Sequence, residues 1–463
     1  MVMGSLPEQV DLAVVGAGVG GYIAAIRGAE LGLSVALVEK EKLGGHCLNY
    51  ACIPSKTLIH IADIYWKAQN SEKFGISTES IHLDAKRMLE WRNSVSAKLE
   101  NGVGFLCKAN GVDVLKGAAT FLNSHSLQLT DGVTLEFKKA IIATGSVPAP
   151  LAGFEFSDSI IDYKKALQLD RIPKSMAIIG AGYVSVEIGM LYAKMGCAVS
   201  IIARSDVLSR FDHEAVELIK RRMSSLGINV YKGVSPKSHG DGRLELSDGT
   251  IVDSEIIVVA IGLLPYTAGL GIENTSIKLN EKGFITVNER LQTTDPGIYA
   301  IGDVIGEPML AHKAMRQGVV AAESASDSNA AFDNVVVPAV IFSDPEVAIA
   351  GSVEEKEGIT VTKFPLTALG RAIALDSTDG FVKIAADAEG TIKGIEIVSD
   401  DANALISEAA LAVEMGANLE DVADTIHPHP TYGEAVQEAA ELALGRPVHI
   451  FSGKQARREH PVE

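Results

Sequence analysis

Cysteine is scarce in this sequence: the 463 residues contain four, too few for the disulfide framework of a secreted protein. Long apolar runs are missing too, because no stretch approaches the roughly 18 to 20 uninterrupted apolar residues that span a bilayer. The N-terminal segment MVMGSLPEQVDLAVVG has no basic residue before its apolar run, so we expect no signal peptide. Few prolines (16) and 47% hydrophobic residues exclude collagen and disorder. We therefore expect a cytoplasmic globular protein with no membrane partner.

Charge and length restrict the partners and the number of domains. The chain carries 41 basic and 59 acidic residues, and its net charge of −18 argues against a nucleic-acid partner. At roughly 150 residues per domain, a chain of this length predicts about three or four domains. Glycine, at 44 residues, is enriched over the usual share of about 7%, and its positions are informative.

The most informative glycines lie in an internal repeat. Residues 12–40 (LAVVGAGVGGYIAAIRGAELGLSVALVEK) align without a gap with residues 176–204 (MAIIGAGYVSVEIGMLYAKMGCAVSIIAR). Each copy has an apolar strand, a Gly-x-Gly turn, a helix with apolar or small residues at helical spacing, and a second strand. This order is typical of the βαβ dinucleotide-binding fingerprint, and two gapless copies are far more specific than one.

The glycines of each turn have separate physical roles. Gly16 and Gly180 permit the tight turn from strand to helix, and Gly18 and Gly182 let a pyrophosphate approach the backbone. The helix that follows presents unpaired N–H groups and the positive end of its dipole to the phosphates. Each copy therefore predicts a dinucleotide site.

The two copies differ where the ribose is expected to bind. The first ends its second strand with Glu39, a carboxylate suited to a ribose diol, whereas the second has Ala203 followed by Arg204. Arg204 and Arg210 could accept a 2′-phosphate, although both could equally be solvated surface arginines. Ser185 replaces the third glycine and should push the helix slightly away from the strand. We expect NADP(H) rather than NAD(H) in the second copy.

Cys47 and Cys52 lie in GGHCLNYACIPSK, directly after the first repeat. A zinc site is disfavoured because the spacing is not Cys-x2-Cys and no second pair exists. Two buried thiols or a redox disulfide remain possible. Cα atoms five residues apart on an ideal helix are roughly 9 Å apart, whereas a disulfide tolerates about 7 Å. A bridge therefore needs a distorted turn, which Gly44 and Gly45 can supply, and in a reducing cytoplasm it would be catalytic.

Together these motifs resemble the class I pyridine nucleotide–disulfide oxidoreductases, the flavoprotein family of dihydrolipoamide dehydrogenase, glutathione reductase and mercuric reductase. The resemblance covers nearly the whole chain. It rests on GAGVGG, GGHCLNYACIPSK, ATGS, GAGYVSVE, IYAIGD, MLAHKA and HPHPTYGE. Dihydrolipoamide dehydrogenases are the most similar members, through CLNYACIPSK, LAHKA, FSDPEVA and HPHPT.

The resemblance implies that FAD binds the first repeat. Glu39 would hold its ribose, Asp303 its ribityl chain and the peptide around Ala119 its adenine. Lys56 would lie at the flavin N5 and pair with Glu187. The full set of implied FAD contacts is Gly16, Gly18, Gly21, Glu39, Lys40, Gly45, Lys56, Ala119, Thr144, Gly145, Gly302, Asp303, Leu310 and Ala311.

The second repeat would bind the pyridine nucleotide, with the Tyr183 ring covering the nicotinamide pocket. The implied contacts are Gly180, Gly182, Tyr183, Ser185, Glu187, Arg204, Arg210 and Gly262. Two departures from the family stand out. His46 and Ala51 replace the usual Thr and Gly before the two cysteines, and the segment Gly262–Tyr266 lacks the usual arginine.

The family's chemistry assigns the remaining roles. Cys47 would exchange with the substrate, Cys52 would face the flavin, His429 would be the acid–base and Glu434 would orient it. His427 has no acid at the corresponding offset. The histidine reaches the cysteines of the other subunit in this family, which implies a homodimer with shared active sites. The expected reaction is oxidation of dihydrolipoamide on a lipoyl-bearing acyltransferase, and the alternative is NADPH-dependent reduction of a small disulfide. No metal is expected.

The predicted fold class is α/β, with two Rossmann-like dinucleotide-binding domains and a C-terminal α+β dimerisation domain. We expect an FAD domain at 1–147, an NAD(P) domain at 148–262, a central domain at 263–331 and an interface domain at 332–463. In the interface domain, strands VVVPAVIF, FVKIAAD and GIEIVSD and helix 402–416 predict an antiparallel sheet covered on one face. The polar tail GKQARREHPVE is expected to be mobile.

Overall fold

The computed structural model describes residues 9–451, and the C-terminal tail lies outside the described residues. The β-strands are β1 (Gln9–Val15), β2 (Val35–Glu39), β3 (Asp113–Lys116), β4 (Ala119–Asn123), β5 (Ser126–Leu129), β6 (Thr134–Ile142), β7 (Ser146–Pro148), β8 (Ile160–Asp162), β9 (Ser175–Ile179), β10 (Ala198–Ala203), β11 (Asn229–Lys232), β12 (Pro236–Gly240), β13 (Arg243–Leu246), β14 (Ile251–Asp253), β15 (Ile256–Val259), β16 (Leu263–Pro265), β17 (Ile298–Ala300), β18 (Ala339–Ile341), β19 (Glu346–Gly351), β20 (Ile359–Pro365), β21 (Phe381–Asp387) and β22 (Ile392–Ser399).

The α-helices are α1 (Val19–Glu30), α2 (Gly45–Asn49), α3 (Cys52–Gln69), α4 (Ala85–Ala109), α5 (Tyr163–Ala166), α6 (Tyr183–Lys194), α7 (His213–Ser225), α8 (Ala311–Ala325), α9 (Gly370–Ala374), α10 (Ala402–Met415), α11 (Leu419–Ala423) and α12 (Glu434–Ala443). Between residues 9 and 451, no helix combines the length and the apolar character that crossing a bilayer requires.

The chain divides into two compact units. The first contains residues up to 174 together with 255–333, and the second contains 175–254 together with 334 onward. Each of the two sequence repeats therefore lies in a different unit. The division into four domains at 147, 262 and 331 stays a prediction.

The first unit is built on a mainly parallel sheet. Its strands follow the order β3-β2-β1-β6, with β17 parallel to β6 on the same sheet, and β5 and β4 extend it in antiparallel fashion. The apolar run of β1 is buried on both faces: Leu12 and Val14 belong to one core, and Ala13 and Val15 to the other. Such a continuous apolar strand is typical of a parallel sheet covered on both sides.

Helix α1 of the first repeat packs closely against α8. A Cβ at Gly20 would lie 2.9 Å from the carbonyl oxygen of Ala314, and one at Gly318 would lie 2.4 Å from the carbonyl oxygen of Gly20. Only glycine allows backbones to approach this closely. The contact fixes the start of α8, where the implied FAD contacts Leu310 and Ala311 lie.

The second unit contains the other repeat. Strands β9, β10 and β11 are parallel, with β10 in the middle, and α6 connects β9 to β10. Both predicted βαβ units are thus present. A small antiparallel sheet, β12-β13-β14, follows.

The C-terminal part of the second unit is the predicted antiparallel sheet, with strand order β18-β19-β22-β21-β20. One face forms a core with α10 and α12, built from side chains such as Phe364, Ile384 and Ile397. Strand β21 and helix α10 were predicted at nearly these bounds, whereas β19 and β20 were not singled out. The opposite face carries Lys383 and Glu396, which lie directly across from each other in β21 and β22.

Candidate active site

The turn between β1 and α1 has the geometry of a phosphate cradle. Gly16 has φ +97°, and a Cβ there would lie 2.6 Å from the carbonyl oxygen of Ala143. Gly21 is equally constrained, because its Cβ would lie 1.9 Å from the carbonyl oxygen of Gly16. Gly18 is the N-cap of α1. Among residues 9–451 no side chain caps this helix, and no atom lies within 4 Å of where a Cβ on Gly18 would be. The N-terminus of α1 is therefore accessible to an anion.

Other predicted FAD contacts lie around this turn. The Glu39 carboxylate accepts hydrogen bonds from the N–H groups of Ala17 and Glu41, both at 2.7 Å. The Lys40 ammonium lies 4.0 Å from the centroid of the Tyr266 ring, and the Thr144 hydroxyl donates to the carbonyl oxygen of Tyr266 at 2.7 Å. Residues after β1, β2 and β6 thus meet at the carboxyl edge of the sheet, where ligands of such folds bind.

Asp303 lies on a turn after β17. Gly302 has φ +76° and its N–H donates to Gln317 at 2.9 Å, while Ser146 donates to the Asp303 carboxylate at 2.7 Å. Burial raises the pKa of Asp303, although the bond from Ser146 and the charge of Lys313 oppose the change. Because one carboxylate oxygen is taken by Ser146, the other can accept a ligand hydroxyl.

These observations fit FAD. An uncapped helix N-terminus with an open glycine suits a pyrophosphate, Glu39 suits a ribose diol, and buried Asp303 suits a polyol chain. Of the other predicted contacts, Ala119 is buried in β4, Gly145 has φ +71°, and Leu310 and Ala311 form the N-terminus of α8. Their assignment as FAD contacts stays a prediction.

Cys47 and Cys52 lie on either side of a break between two helices. Helix α2 ends at Asn49 and α3 begins at Cys52, with Ala51 at φ −131° and ψ −92° between them. The two thiols are in hydrogen-bonding contact. The sequence placed the necessary distortion at Gly44 and Gly45, and the structure corrects this, because the helix is interrupted at Tyr50 and Ala51.

The electrostatics of the pair favour a retained proton on Cys47. The hydrogen bond with Cys52, burial and the negative charge of Cys52 raise the pKa of Cys47 far above that of an ordinary thiol. The positive charge of Lys56 lowers it, and Asp303 raises it. Both Lys56 and Asp303 are thus close enough to Cys47 to influence its charge, and their places around the flavin stay a prediction.

His429, in the loop before α12, and Glu434, the first residue of α12, form the predicted pair. His429 Nδ1 lies 2.7 Å from Glu434 Oε1, and the His429–Pro430 peptide bond is cis. The other carboxylate oxygen accepts the N–H of Thr431 at 2.8 Å. Partial burial raises the pKa of Glu434, but the bonds from His429 and Thr431 outweigh it, so the net pKa is below its usual value. The His429 ring is 76% exposed, and its Nε2 is available to a substrate.

The sequence missed a second histidine–carboxylate pair in the same loop. His427 Nε2 lies 2.8 Å from Glu408 Oε1, and Nδ1 lies 2.9 Å from the carbonyl oxygen of Thr425. The acid comes from α10, on the N-terminal side of the histidine, so a search for an acid five residues later does not find it. The buried His427 ring lies 3.5 Å from where a Cβ on Gly433 would be, directly before Glu434.

The second glycine-rich turn, between β9 and α6, resembles the first but has Ser185 in place of the third glycine. Gly180 has φ +133°, and Gly182 is the N-cap of α6, which no side chain in the described part of the chain caps. Tyr183 follows and is 38% exposed. Ser185 is fully buried, and its hydroxyl has no hydrogen-bond partner within residues 9–451. A dinucleotide can therefore approach this turn, and the contacts assigned to it stay a prediction.

The predicted nucleotide-selecting residues lie after β10. Ala203 is buried, whereas Arg204 and Arg210 are exposed. Asp206 lies between them in sequence, and its carboxylate pairs with Lys220 and Lys232, both at 2.8 Å. These two lysines lower the pKa of Asp206 to about 2. The negative charge of Asp206, the only acid among residues 204–210, is thus balanced by these two lysines.

The remaining candidates are distributed over both units. Glu187 is buried in α6, and its carboxylate accepts the N–H of Phe342 at 3.0 Å. Gly262 belongs to the first unit and has φ +129°. Lys56 and the cysteines belong to the first unit, whereas Glu187, His429 and Glu434 belong to the second. Among residues 9–451, no cluster of three or more His, Cys, Asp or Glu side chains is placed to hold a metal ion.

Two family profiles match the chain in succession. The pyridine nucleotide-disulphide oxidoreductase profile matches residues 10–318. The profile of the pyridine nucleotide-disulphide oxidoreductase dimerisation domain matches residues 337–440. Together they cover nearly all of the residues that the structure describes.

Characterised relatives match over their full length. The dihydrolipoyl dehydrogenase of Geobacillus stearothermophilus is 43% identical, and the alignment covers 98% of this chain and 100% of that protein. The enzyme of the same name from Bacillus subtilis strain 168 is 42% identical, with 97% and 100% covered. That of Haloferax volcanii is 40% identical, with 98% and 100% covered.

Solved structures have the same fold. LpdA from Mycobacterium tuberculosis superposes with a TM-score of 0.87 at 24% identity, covering 94% of this chain and 100% of that one. The HOCl-induced flavoprotein disulfide reductase RclA from Escherichia coli gives a TM-score of 0.84 at 26% identity, with 93% and 99% covered. The predicted fold class, two Rossmann-like parts and a C-terminal α+β part, is confirmed.

Proposed function

The chain belongs to the pyridine nucleotide-disulphide oxidoreductase family, and from this premise we propose that it is a dihydrolipoamide dehydrogenase that passes electrons to NAD(P)+. The observation that carries the proposal is the contact between Cys47 and Cys52 at the break between α2 and α3, beside Lys56. Identities of 40–43% to dihydrolipoyl dehydrogenases over their whole length support the substrate class.

Enzymes of this family use FAD and a pyridine nucleotide. FAD, when bound, supplies the two-electron carrier between the cysteine pair and the nicotinamide. In this chain the N-terminus of α1 and Gly18 would hold its pyrophosphate, Glu39 its ribose and Asp303 its ribityl chain. The protein contributes position and charge, since Lys56 places a positive charge beside Cys47.

The thiol chemistry needs a base. A substrate thiol attacks efficiently only as a thiolate, so we assign His429 Nε2 the role of taking its proton. The thiolate then attacks the sulfur of Cys47 in the oxidised pair, the Cys47–Cys52 bond breaks and Cys52 leaves as a thiolate. The second substrate thiol gives up its proton and attacks the substrate sulfur of the mixed disulfide. The bond between that sulfur and Cys47 breaks, the cyclic disulfide is released, and Cys47 takes up the proton because its pKa in the reduced pair is raised.

Glu434 has a positioning role. Its bond to His429 Nδ1 fixes the tautomer in which Nε2 lacks a proton, and it stabilises the imidazolium once Nε2 has accepted one. The bond from the Thr431 N–H fixes the carboxylate in turn. The exposed ring of His429 suits a site completed by a second subunit.

The dimerisation domain supports a homodimer. We propose that each active site combines the cysteine pair of one subunit with His429 and Glu434 of the other. The partner would be the lipoyl group of an acyltransferase, whose flexible arm can reach such a site. A cytoplasmic location also stays a prediction.

The choice of nucleotide depends on the surface that follows β10. The family supports a pyridine nucleotide, but similarity to dihydrolipoyl dehydrogenases does not support the preference for NADP(H). The preference for NADP(H) is supported by the exposed side chains of Arg204 and Arg210. It is also supported by Asp206, whose negative charge is balanced by two lysines. The same feature motivates a second candidate function, NADPH-dependent reduction of a small disulfide.

Steady-state kinetics separate these functions. The purified protein is expected to reduce NAD+ or NADP+ with dihydrolipoamide, and the ratio of kcat/KM for the two nucleotides gives the preference. A panel of small disulfides with NADPH tests the alternative. If no nucleotide is reduced by dihydrolipoamide while FAD stays bound, the proposed function is wrong.

A further inference from the structure

His46, which directly precedes Cys47, is in contact with a lysine from a distant part of the sequence. Its Nε2 lies 2.9 Å from the ammonium nitrogen of Lys164 in α5. An ammonium group can only donate hydrogen bonds, so Nε2 must accept and the proton of the neutral ring must be on Nδ1. Nδ1–H is therefore oriented as a donor.

The pair carries the positive charge of Lys164 in surroundings that contain charges of both signs. Asp162 and Glu41 raise the pKa of Lys164, whereas Lys40 lowers it. Burial, followed by the charge of Lys164, lowers the pKa of His46 to about 4, and burial also lowers the pKa of Lys164. The His46 ring meets the Tyr50 ring edge-on, and the Lys164 ammonium lies 5.7 Å from the centre of the Tyr50 ring. Within the described residues, no carboxylate forms an ion pair with Lys164. Because its direct hydrogen-bond partner is the neutral His46 ring and not a carboxylate, the half-buried ammonium can still bind an anion from outside the chain.

The backbone before His46 lies against the phosphate cradle. Gly44 forms a bridge with Gly18, and the Gly44 N–H donates to the carbonyl oxygen of Ala17 at 2.8 Å. A Cβ on Gly45 would lie 2.7 Å from the Cα of Gly18. His46 is therefore the first side chain beyond the glycines that face the N-terminus of α1.

A direct influence of His46 on the reactive cysteine has less support. The main groups that shift the pKa of Cys47 are Cys52, Lys56 and Asp303, and His46 is not among them. His46 is adjacent to Cys47 in sequence, but its ring contacts lie with Lys164 and Tyr50. The backbone of His46 thus follows the glycines that lie against Gly18, and its ring contacts within residues 9–451 are with Lys164 and Tyr50.

We propose that His46 and Lys164 act together as a cationic clamp that holds the FAD pyrophosphate opposite the N-terminus of α1. Lys164 supplies the charge, and His46 Nδ1–H supplies a directed hydrogen bond. The inference rests on the proposed function only in requiring bound FAD.

The test uses the holoenzyme and follows FAD release by the rise of flavin fluorescence at several salt concentrations. Lys164→Met should release FAD about tenfold faster at low salt, because a hydrogen bond to a charged group has an effect of at least that size. Its release rate should also depend less on salt, since one ionic contact is gone. Lys165→Met removes a charge from the exposed neighbouring lysine and should behave as wild type.

A second variant and a direct probe of the phosphates keep the test decisive. In His46→Thr, as in Lys164→Met, the ³¹P resonances of bound FAD should shift, whereas in Lys165→Met they should not. The FAD release rate of the double variant should exceed that of Lys164→Met by only a small factor, because the two side chains act as one unit and their effects do not add. Wild-type release rates and unchanged resonances in both single variants would overturn the proposal.

The outcomes also separate this inference from the proposed function. FAD release is measured without dihydrolipoamide, so an enzyme inactive towards that substrate can still show the effect of Lys164→Met. Conversely, an active enzyme whose variants retain FAD normally would leave the proposed function intact and remove the clamp.

Discussion

Replacement of Glu396 by glutamine is expected to stabilise the protein at alkaline pH. Glu396 lies within β22, is fully buried, and neither of its carboxylate oxygens has a hydrogen-bond partner in the described part of the chain. Burial and the negative charge of Asp212 raise its pKa to about 8, with a smaller contribution from Glu214, although Lys383 opposes the change. Lys383 is already paired with Asp212 and Glu214, at 2.7 Å each.

The sign and size of the effect follow from proton linkage. In the unfolded chain the group titrates near 4.5, whereas in the folded protein it titrates near 8. Between these values the folded state binds the extra proton, so the free energy of unfolding falls as the pH rises, by about 1.4 kcal/mol per unit. From about pH 6 to pH 8, the wild type should therefore lose about 2 to 3 kcal/mol relative to Glu396→Gln.

Thermal unfolding of the FAD-saturated protein measures this difference. An unfolding entropy of about 2.1 cal/mol/K per residue amounts to about 1 kcal/mol/K for the whole chain. The Tm of Glu396→Gln minus that of the wild type should thus increase by about 2 to 3 °C between pH 6 and pH 8. Glu355→Gln, at an exposed position, is the matched control. The reasoning is refuted if the difference stays constant with pH, or if the control changes equally.

Three further predictions concern the chemistry. Cys47→Ser should abolish oxidation of dihydrolipoamide with FAD still bound, and unchanged turnover would exclude a dithiol mechanism. Glu434→Gln should lower kcat about 10- to 100-fold and change its pH profile, because the His429 tautomer is no longer fixed; a wild-type profile would show that Glu434 does not orient the ring. Arg204→Glu should shift the NADPH-to-NADH ratio of kcat/KM about tenfold towards NADH, whereas Arg221→Glu on the exposed side of α7 should not; an equal ratio in all three proteins would show that Arg204 does not select the nucleotide.

Local sequence was sufficient wherever the deciding interactions lie within a few residues. Gly16 must be glycine because its backbone has a positive φ and touches Ala143, and this constraint appears in the sequence as a fixed spacing between strand and helix. The pair of His429 and Glu434 spans five residues and was predicted directly. The antiparallel sheet was only partly predicted, because the strand pattern of β19 and β20 was not recognised.

The sequence alone thus determined the two dinucleotide turns, the cysteine pair and the family, since each depends on short-range geometry that only certain residue types permit. Only the tertiary structure decided which side chains meet across the fold. Three pairs of side chains show this. The members of each pair are separated in sequence by 19 residues for Glu408 and His427, 118 for Lys164 and His46, and 171 for Lys383 and Asp212. A buried charged or polar group needs a hydrogen-bond partner, and packing decides which group lies within about 3 Å of it. The local sequence pattern does not indicate which distant element will supply that partner.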